Sequence, residues 1–363
     1  MAPRILILTA SVGEGHDLPA RMLAAGLRAE RPDAEVVIED GLRAMGRAFV
    51  AVNEDAAGVV FRRFHWIWDL SFFVFARCAP TRRLTKSLVC LLGSRGIRRL
   101  VRSADPDVVV SVYPMTTEVL GRLRRRGRLD VSVCAVITDL AAMHYWAARG
   151  VDLHLVTHPE SIEEVHEVAG DETQVQCVNG LTDPAFVRPR DPDDAKRELG
   201  LPVSGKVVLV SGGGWGVGDL DGAVETALAV EGVAEVVCLC GRNGELERRM
   251  SERYAADPRV RVEGFTDRMP DWMAAGDALV HSTAGLTVLE AHMRGCPAIS
   301  YGWGRGHIRV NNAAFRRFGI ADVVGSRGEL AQALRRALDG RRAQDLSFAT
   351  LPSAASLVLA LLA

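Results

Sequence analysis

The chain has 363 residues, of which 48% are hydrophobic and 25% are charged. This length exceeds what one hydrophobic core usually serves, so we expect about two domains of ordinary globular composition. The formal net charge of −1 excludes a global field that would attract nucleic acid, and we expect no nucleic-acid partner.

Seven cysteines are scattered along the chain, and no CxxC pair occurs. This pattern predicts a protein of the reducing cytoplasm without a structural metal. The amino terminus does not have the charged region and apolar region of a signal peptide. No run of about 18 apolar residues occurs, so we expect no membrane span.

Short apolar strands alternate with helical patterns in the first half of the chain. The helical patterns cover residues 19–31 and 117–126. The predicted strands are residues 4–9, 35–38, 108–112, 132–138, 153–157 and 174–178. Strands with little polar alternation, separated by helices, predict a parallel sheet that is covered on both faces.

A segment rich in proline and charge, residues 188–205, predicts a linker with a short helix. The pattern then restarts with strands at 207–211, 235–240, 260–263, 278–281 and 298–301. We therefore expect an α/β protein with two doubly wound Rossmann-like domains, residues 1–187 and 206–345, that face a cleft. The apolar tail, residues 346–363, predicts a terminal helix that covers a core and crosses back to the first domain.

Residues 43–128 form a strongly basic block with few acids. Such a block either attracts a polyanion such as anionic lipid or consists of solvated helix faces. Within it, residues 64–83 are the most apolar and aromatic stretch, with Trp66 and Trp68. This stretch predicts either a surface that contacts an anionic bilayer, a buried helix, or a pocket lined by aromatic rings.

A first glycine-rich turn, Gly13-Glu14-Gly15-His16, follows the first strand. Ligands of open α/β sheets bind beyond the carboxyl ends of the strands. The turn has neither the third glycine of a dinucleotide fingerprint nor the Lys-Ser/Thr of a phosphate-binding loop. A histidine at this place suits a general base, and a capping or surface role is the alternative.

A second glycine-rich turn, residues 211–218, follows the strand at 207–211. Glycines let backbone N–H groups approach an anion, so the turn predicts a diphosphate site, with a flexible surface loop as the alternative. Ser282 to Gly285 predict the start of a helix that suits phosphate. Glu290, about two turns into that helix, is either an exposed carboxylate or an acceptor for ribose hydroxyls.

Three stretches together resemble glycosyltransferase family 28. They are GHDLPA at residues 15–20, AGLTVLE at 284–290, and TDL at 138–140 followed by His144 and Trp146. This family includes the N-acetylglucosaminyltransferase that makes lipid II and the monogalactosyldiacylglycerol synthases. The resemblance extends over nearly the whole chain.

The resemblance implies the GT-B fold, with a UDP-sugar donor in the C-terminal domain and the acceptor in the N-terminal domain. It implies direct displacement with inversion, for which His16 is the candidate base and Asp139 either orients His16 or competes for that role. It implies donor binding by Gly212, Gly213, Gly214, Arg242, Phe265, Met269, Ser282, Thr283, Ala284, Gly285, Leu286, Thr287, Glu290, His307 and Asn311. It implies acceptor binding by Gly15, His144, Trp146, Trp66 and Trp68.

The resemblance also implies that no metal and no cofactor is required. Asp219 and Asp221 have the spacing of a metal-binding DxD pair of another transferase fold, but such pairs are common by chance. We expect an enzyme that transfers a hexose or N-acetylhexosamine from a UDP-sugar to a lipid such as diacylglycerol, cytoplasmic and peripheral at the inner face of the membrane. The alternatives are a transferase with a soluble aglycone, a UDP-sugar epimerase or hydrolase, and a non-catalytic nucleotide-sugar-binding subunit.

Overall fold

The computed structural model describes residues 2–10, 14–51, 74, 78–141, 143–283, 285–302, 306–340 and 343–362. For Glu14, Tyr145 and His307 the description is limited to the backbone. The chain divides into two compact units. The first comprises Met1–Thr182, Arg305–His307 and Thr350–Ala363, and the second comprises Asp183–Gly304 and Ile308–Ala349.

The first unit alternates strands and helices. Its strands are β1 (Arg4–Thr9), β2 (Glu35–Asp40), β3 (Val108–Ser111), β4 (Ser132–Val136), β5 (Leu153–Val156) and β6 (Gln174–Cys177). Its helices are α1 (Glu14–Glu30), α2 (Gly41–Met45), α3 (Arg47–Val50), α4 (Ala79–Ala104), α5 (Pro114–Arg125), α6 (Met143–Trp146) and α7 (Ile162–Ala169). Each of the six strands matches a predicted strand to within two residues at either end.

The second unit repeats this alternation. Its strands are β7 (Lys206–Ser211), β8 (Val233–Leu239), β9 (Val260–Glu263), β10 (Ala278–His281), β11 (Ala298–Tyr301) and β12 (Ala321–Val324). Its helices are α8 (Pro192–Leu199), α9 (Leu220–Leu228), α10 (Gly244–Tyr254), α11 (Met269–Ala275), α12 (Leu286–Met293), α13 (Gly306–Phe318) and α14 (Arg327–Leu338). The last helix of the chain is α15 (Ala354–Ala360).

The first sheet is parallel and has the order β2-β1-β3-β4-β5-β6. Its interior strand β1, next to the edge strand β2, is buried on both faces. Ile5 and Ile7 pack into one hydrophobic cluster, and Leu6 and Leu8 pack into another. Because both faces need apolar side chains, the strand has no polar alternation.

The second sheet is parallel and has the order β12-β11-β10-β7-β8-β9. Sequence analysis missed β12, a short edge strand that is at least partly exposed along its whole length. The segment predicted as a linker contributes α8 to this unit. Lys196 of α8 forms a buried ion pair with Asp277, with 2.8 Å between Nζ and Oδ2.

Each sheet has one point at which the strand order reverses. In the first unit, β1 has β2 on one side and β3 on the other. In the second unit, β7 has β8 on one side and β10 on the other. The carboxyl ends of the strands on either side of such a point diverge into a crevice, which is where open α/β sheets bind ligands. The segments that follow β1 and β3 therefore flank the crevice of the first unit, and those that follow β7 and β10 flank that of the second.

Two helix starts differ from the predicted ones. Helix α1 begins at Glu14 and contains Pro19, whereas we expected a start at residue 19. Pro19 removes only one hydrogen bond, to the carbonyl of Gly15 at the first turn, so the helix tolerates it. Helix α12 begins at Leu286, four residues after the predicted start at Ser282.

Helix α15 packs in the first unit against α1. A Cβ atom on Gly26 of α1 would lie 3.3 Å from Cβ of Ala355, so the two helix backbones approach closely. The N–H of Asn179 donates to the carbonyl of Pro352 and ties down the chain before this helix. Among the helices that the structure describes, none is long and apolar enough to cross a membrane.

Acid is expected to destabilise the second unit through His281. Burial lowers the pKa of His281 to about 4, so the native ring is neutral while an unfolded histidine titrates near 6.5. Stability from this group is complete above about pH 6.5 and is lost as the pH falls toward about 4. The variant His281→Asn keeps an acceptor for the N–H of Thr283 but cannot be protonated.

Between about pH 6.5 and 4, we expect the unfolding free energy of His281→Asn to fall by up to ~3 kcal/mol less than that of the wild type. Urea unfolding followed by tryptophan fluorescence at a series of pH values measures this. A variant with the same pH slope as the wild type would contradict the assignment.

Candidate active site

His16 lies in the first turn of α1, directly after β1. Its Nδ1 atom is 3.1 Å from the carbonyl oxygen of Val112, the residue after β3. Because a carbonyl can only accept, this bond requires the proton on Nδ1, and the neutral ring then has its lone pair on Nε2. The N–H of Val112 donates in turn to the carbonyl of Leu8. This hydrogen bond fixes Val112, and with it the carbonyl that accepts from His16, at the reversal point of the sheet.

Two aromatic rings pack around the imidazole of His16. The ring of Tyr113 meets it edge to face, with 5.0 Å between centroids. The ring of Trp146 lies 5.5 Å from it at a tilted angle. Rings packed in this way restrict the orientation of the imidazole, since rotation would require both neighbours to move.

Trp146 connects His16 to Asp139. The indole Nε1 of Trp146 donates to Oδ2 of Asp139 over 2.9 Å. Trp146 is 2% exposed and packs beside His16, and the acceptor-binding role predicted for it stays a prediction. Trp146 thus contacts both Asp139 and His16, an arrangement that the sequence motif did not reveal.

The other predicted residues of this site are spread along α1 and α6. Gly15 and His144 are exposed. The hydroxyl of Thr9 donates to Oδ1 of Asp17 over 2.9 Å and links β1 to α1. Trp66 and Trp68, predicted as acceptor-binding residues, lie outside the described residues.

The glycine-rich turn after β7 is compact and makes its own hydrogen bonds. The N–H of Val217 donates to the carbonyl of Gly212, and the N–H of Gly216 donates to that of Gly213. A Cβ atom on Gly212 would lie 2.4 Å from the nitrogen of Val217, so only glycine fits there. Gly216 has a φ of 61°, which also favours glycine. Local packing thus accounts for two of the glycines.

The end of β10 contacts this turn. The hydroxyl of Ser282 donates to the carbonyl of Val217. A Cβ atom on Gly213 would lie 2.6 Å from Cγ2 of Thr283. Ser282 is buried and lies before α12, so its side chain closes the turn and is not in the helix start that we predicted as a phosphate site.

Arg242 and Phe265 form a stacked pair beside the turn. The guanidinium carbon of Arg242 lies 3.7 Å from the ring centroid of Phe265. The N–H of Arg242 donates to the carbonyl of Gly214 over 2.9 Å, which anchors the pair to the turn. Phe265 is 52% exposed and thus offers apolar ring surface to a ligand. Trp215, at 47% exposure, is a second exposed aromatic ring, and the sequence analysis did not select it.

The remaining predicted donor-binding residues lie on α11, α12 and α13. Glu290 is about one turn into α12 rather than two, and it is 8% exposed. Asn311 is completely buried. Gly285 is buried, while Met269, Leu286 and Thr287 are half-buried. Ala284 and the side chain of His307 lie outside the described residues.

Asp219 and Asp221 have structural partners. Asp219 caps α9 by accepting the N–H of Gly222 and also accepts the hydroxyl of Tyr301 over 3.0 Å. Asp221 pairs with Arg253. In the described part of the chain, no group of three or more His, Cys, Asp or Glu side chains has a metal-binding arrangement.

The two doubly wound sheets have the fold of GT-B glycosyltransferases, as the sequence predicts. The crystal structure of MurG from Acinetobacter baumannii aligns over 100% of this chain and 99% of its own chain, with a TM-score of 0.59 and 14% identity. Residues 18–181 match the family model for monogalactosyldiacylglycerol (MGDG) synthase. The resemblance to glycosyltransferase family 28 is therefore confirmed.

Two curated relatives extend this similarity. Monogalactosyldiacylglycerol synthase 1, chloroplastic, from Arabidopsis thaliana is 32% identical over 222 residues, which are 58% of this chain and 41% of the plant protein. This chain thus spans about two fifths of the length of that relative. Processive diacylglycerol beta-glucosyltransferase from Staphylococcus aureus is 23% identical over 329 residues, which are 88% of this chain and 81% of the relative.

The hydrogen bond between Trp146 and Asp139 is expected to stabilise the first unit. Trp146→Phe removes the donor and keeps a ring beside His16. A hydrogen bond to a carboxylate is worth ~1.5–3 kcal/mol, against about 1 kcal/mol for a neutral acceptor. The matched control is Trp272→Phe, since Trp272 is also buried but donates to the hydroxyl of Thr266 over 3.2 Å.

We expect Trp146→Phe to lower the unfolding free energy more than Trp272→Phe does, as measured by urea denaturation. Equal losses in the two variants would show that the contact with Asp139 adds nothing beyond the lost ring volume.

Proposed function

We propose that the protein is an inverting glycosyltransferase that transfers a hexose or an N-acetylhexosamine from a UDP-sugar to a hydroxyl group of a lipid such as diacylglycerol. The observation that carries this proposal is the hydrogen bond from His16 to Val112 at the reversal point of the first sheet. The side chains around His16 lie within the segment that matches the MGDG synthase family model. The printed names of both relatives include diacylglycerol.

His16 acts as the general base in this proposal. With its proton on Nδ1, the ring accepts the proton of the acceptor hydroxyl at Nε2 while the hydroxyl oxygen attacks the anomeric carbon. The bond from that carbon to the diphosphate breaks, UDP leaves with the electron pair, and the configuration inverts. Asp139 assists by holding Trp146 against the imidazole, so it acts as a positioning residue and not as a second base.

The second unit binds the donor in this proposal. The exposed ring of Phe265 stacks on the uracil base, and the guanidinium of Arg242 adds positive charge beside the diphosphate. The turn at Gly212 to Gly214 follows β7 at the reversal point, where backbone N–H groups stabilise the charge that develops on the leaving group. This electrostatic role requires no metal ion and no cofactor.

The acceptor is a membrane lipid in this proposal, and the protein works as a peripheral protein at the cytoplasmic face of the membrane. The names of the two relatives favour a lipid over a soluble aglycone. A hydrolase or epimerase would act on the UDP-sugar in the absence of an acceptor. A panel of UDP-sugars, incubated with and without a lipid extract and read by mass spectrometry, distinguishes these activities.

Replacing His16 is expected to abolish transfer and leave donor binding intact. His16→Ala should lower the transfer rate by ~100-fold or more, since a general base contributes about 10²–10⁴-fold. The dissociation constant of UDP, measured by calorimetry, should stay within about twofold of that of the wild type, because His16 is assigned to the acceptor side. Transfer is measured by mass spectrometry. EDTA, which removes metal ions, should have no effect on transfer by the wild type.

His166→Ala, on α7 away from the carboxyl ends of the strands, is the matched histidine control and should retain activity. Full activity of His16→Ala would overturn the proposed base. Loss of UDP binding in that variant would instead assign His16 to the donor site.

Replacing Phe265 is expected to weaken donor binding. Phe265→Ala should raise the dissociation constant of UDP by roughly tenfold, because stacking of a base on an aromatic ring contributes ~1–3 kcal/mol. Phe318→Ala is a matched control, since the guanidinium of Arg317 lies 4.7 Å from the ring centroid of Phe318 in a comparable pair. Equal affinities for Phe265→Ala and the wild type would exclude the stacking role.

A further inference from the structure

We propose that three buried hydroxyl groups, those of Ser111, Thr116 and Thr117, position the backbone that holds His16 and so set the tautomer of its ring. These three groups are called the hydroxyl cluster below. They lie where β3 ends and α5 begins, and they act on His16 through the carbonyl of Val112. This inference rests on the proposed function, because a general base needs its lone pair on the nitrogen that receives the proton.

The hydroxyl cluster is buried within the first unit. The hydroxyl oxygens of Ser111 and Thr116 are 2.6 Å apart, and those of Thr117 and Ser111 are 2.9 Å apart. The hydroxyl oxygen of Thr116 also lies 2.7 Å from the carbonyl oxygen of Tyr113. A buried hydroxyl without a partner costs free energy, so each proton of the cluster needs an acceptor.

One arrangement of the protons satisfies all three hydroxyls. Thr117 donates to Ser111, Ser111 donates to Thr116, and Thr116 donates to the carbonyl of Tyr113. This carbonyl accepts a second bond from the N–H of Thr117 over 3.0 Å, which fills its two lone pairs. The hydrogen bonds therefore begin on α5, cross to the last residue of β3 and return to the turn between the two elements.

Helix capping alone does not account for the cluster. The N-cap residue of α5 is Tyr113, and its side chain makes no capping hydrogen bond. Capping side chains accept from the free N–H groups of a helix, whereas these hydroxyls donate toward a carbonyl. Threonines often donate to a carbonyl three or four residues earlier, which accounts for Thr116 and Thr117 but not for Ser111. Ser111 is the side chain that joins β3 to α5.

The two residues that follow Ser111 are the ones that contact His16. The carbonyl oxygen of Val112 lies 3.1 Å from Nδ1, and the ring of Tyr113 packs edge to face on the imidazole. The N–H of Val112 is held by the carbonyl of Leu8, and the hydroxyl cluster holds the carbonyl of Tyr113. Because the partner of one imidazole nitrogen decides which nitrogen carries the proton, a turn free to rotate would let the two tautomers exchange.

The packing around the cluster dictates which variant tests it. A Cβ atom on Gly41 would lie 2.3 Å from Cγ2 of Thr116, so α2 packs closely on this methyl group, and Thr116→Val keeps the methyl group. Ser111 Oγ lies 3.0 Å from the carbonyl oxygen of Tyr113, so Ser111 can replace Thr116 as its donor. The variant that removes the connection between β3 and α5 is therefore Ser111→Ala/Thr116→Val.

The first measurement reads the tautomer of His16 without an activity assay. Nitrogen NMR of histidine-labelled protein at alkaline pH distinguishes a protonated ring nitrogen from an unprotonated one, and the spectrum of His16→Ala identifies the signals of His16. The wild type should show a neutral ring with its proton on Nδ1. In Ser111→Ala/Thr116→Val the two nitrogen signals should move toward each other, because the tautomers exchange.

The second measurement separates kcat from binding. The kcat of Ser111→Ala/Thr116→Val should fall by roughly tenfold, which is part of the 10²–10⁴-fold that a general base contributes. The KM for the UDP-sugar and the dissociation constant of UDP should stay within about twofold of those of the wild type, because His16 is assigned to the acceptor side. Thr116→Ser, which keeps the hydroxyl, should retain the tautomer and most of the kcat.

The matched control is Thr226→Val in the second unit. Thr226 is buried on α9, and its hydroxyl donates to the carbonyl of Gly222 over 2.6 Å. This change removes a buried hydroxyl and should alter neither the tautomer of His16 nor the kcat. Thermal unfolding checks that each variant is folded. If the double variant does not fold, Ser111→Ala replaces it in both measurements, since it alone removes the side chain that joins β3 to α5.

The outcomes separate this inference from the proposed function. If the variant keeps the proton of His16 on Nδ1, the inference is wrong, even where kcat falls through a general loss of structure. The inference is also wrong if the wild type itself shows exchanging tautomers. If the tautomer changes and kcat falls, both proposals hold. If the tautomer changes but the wild type transfers no sugar, or the variant transfers it at the wild-type rate, the inference holds and the proposed role of His16 as base fails.

Discussion

The hydrogen bond between His16 and the carbonyl of Val112 depends on the order of the first sheet. Because β1 lies between β2 and β3, the residue after β3 and the first turn of α1 meet at one place. Chemistry at His16 requires a defined tautomer, and the backbone carbonyl of Val112 supplies it. Tyr113 and Trp146 then restrict the ring, so the topology of the sheet determines both the position and the protonation pattern of the imidazole.

The second unit uses the same topology to build a different surface. The turn after β7 and the end of β10 meet at the reversal point, and Ser282 and Val217 join them. Here the described residues present backbone groups and the exposed rings of Trp215 and Phe265. His281, at the end of β10, is neutral because burial lowers its pKa to about 4. Two copies of one fold thus favour a proton acceptor in one unit and a binding surface for an anion and a flat ring in the other.

Sequence reasoning succeeded where both faces of an element are buried. The strands β1, β10 and β11 have the predicted bounds, because an apolar run bounded by turn residues has few other interpretations. Sequence reasoning failed where tertiary contacts determine the bounds or the existence of an element. The start of α1 lies before a proline, and β12 is an edge strand without a continuous apolar run. The packing of Trp146 on His16 depends on how α6 folds back, which residue spacing does not encode.

The glycines of the second turn explain why a motif by itself says little about a ligand. Gly212 is required because a Cβ atom there would clash with the backbone of Val217, and Gly216 is required because its positive φ would strain any other residue. Both reasons hold with or without a bound anion. A protein that only needed this tight turn would have the same glycines. The exposed ring of Phe265 is different, because an exposed apolar ring gains nothing from solvent. Its stacking with Arg242, which is itself tied to the carbonyl of Gly214, therefore carries more information about a bound nucleotide than the glycines do.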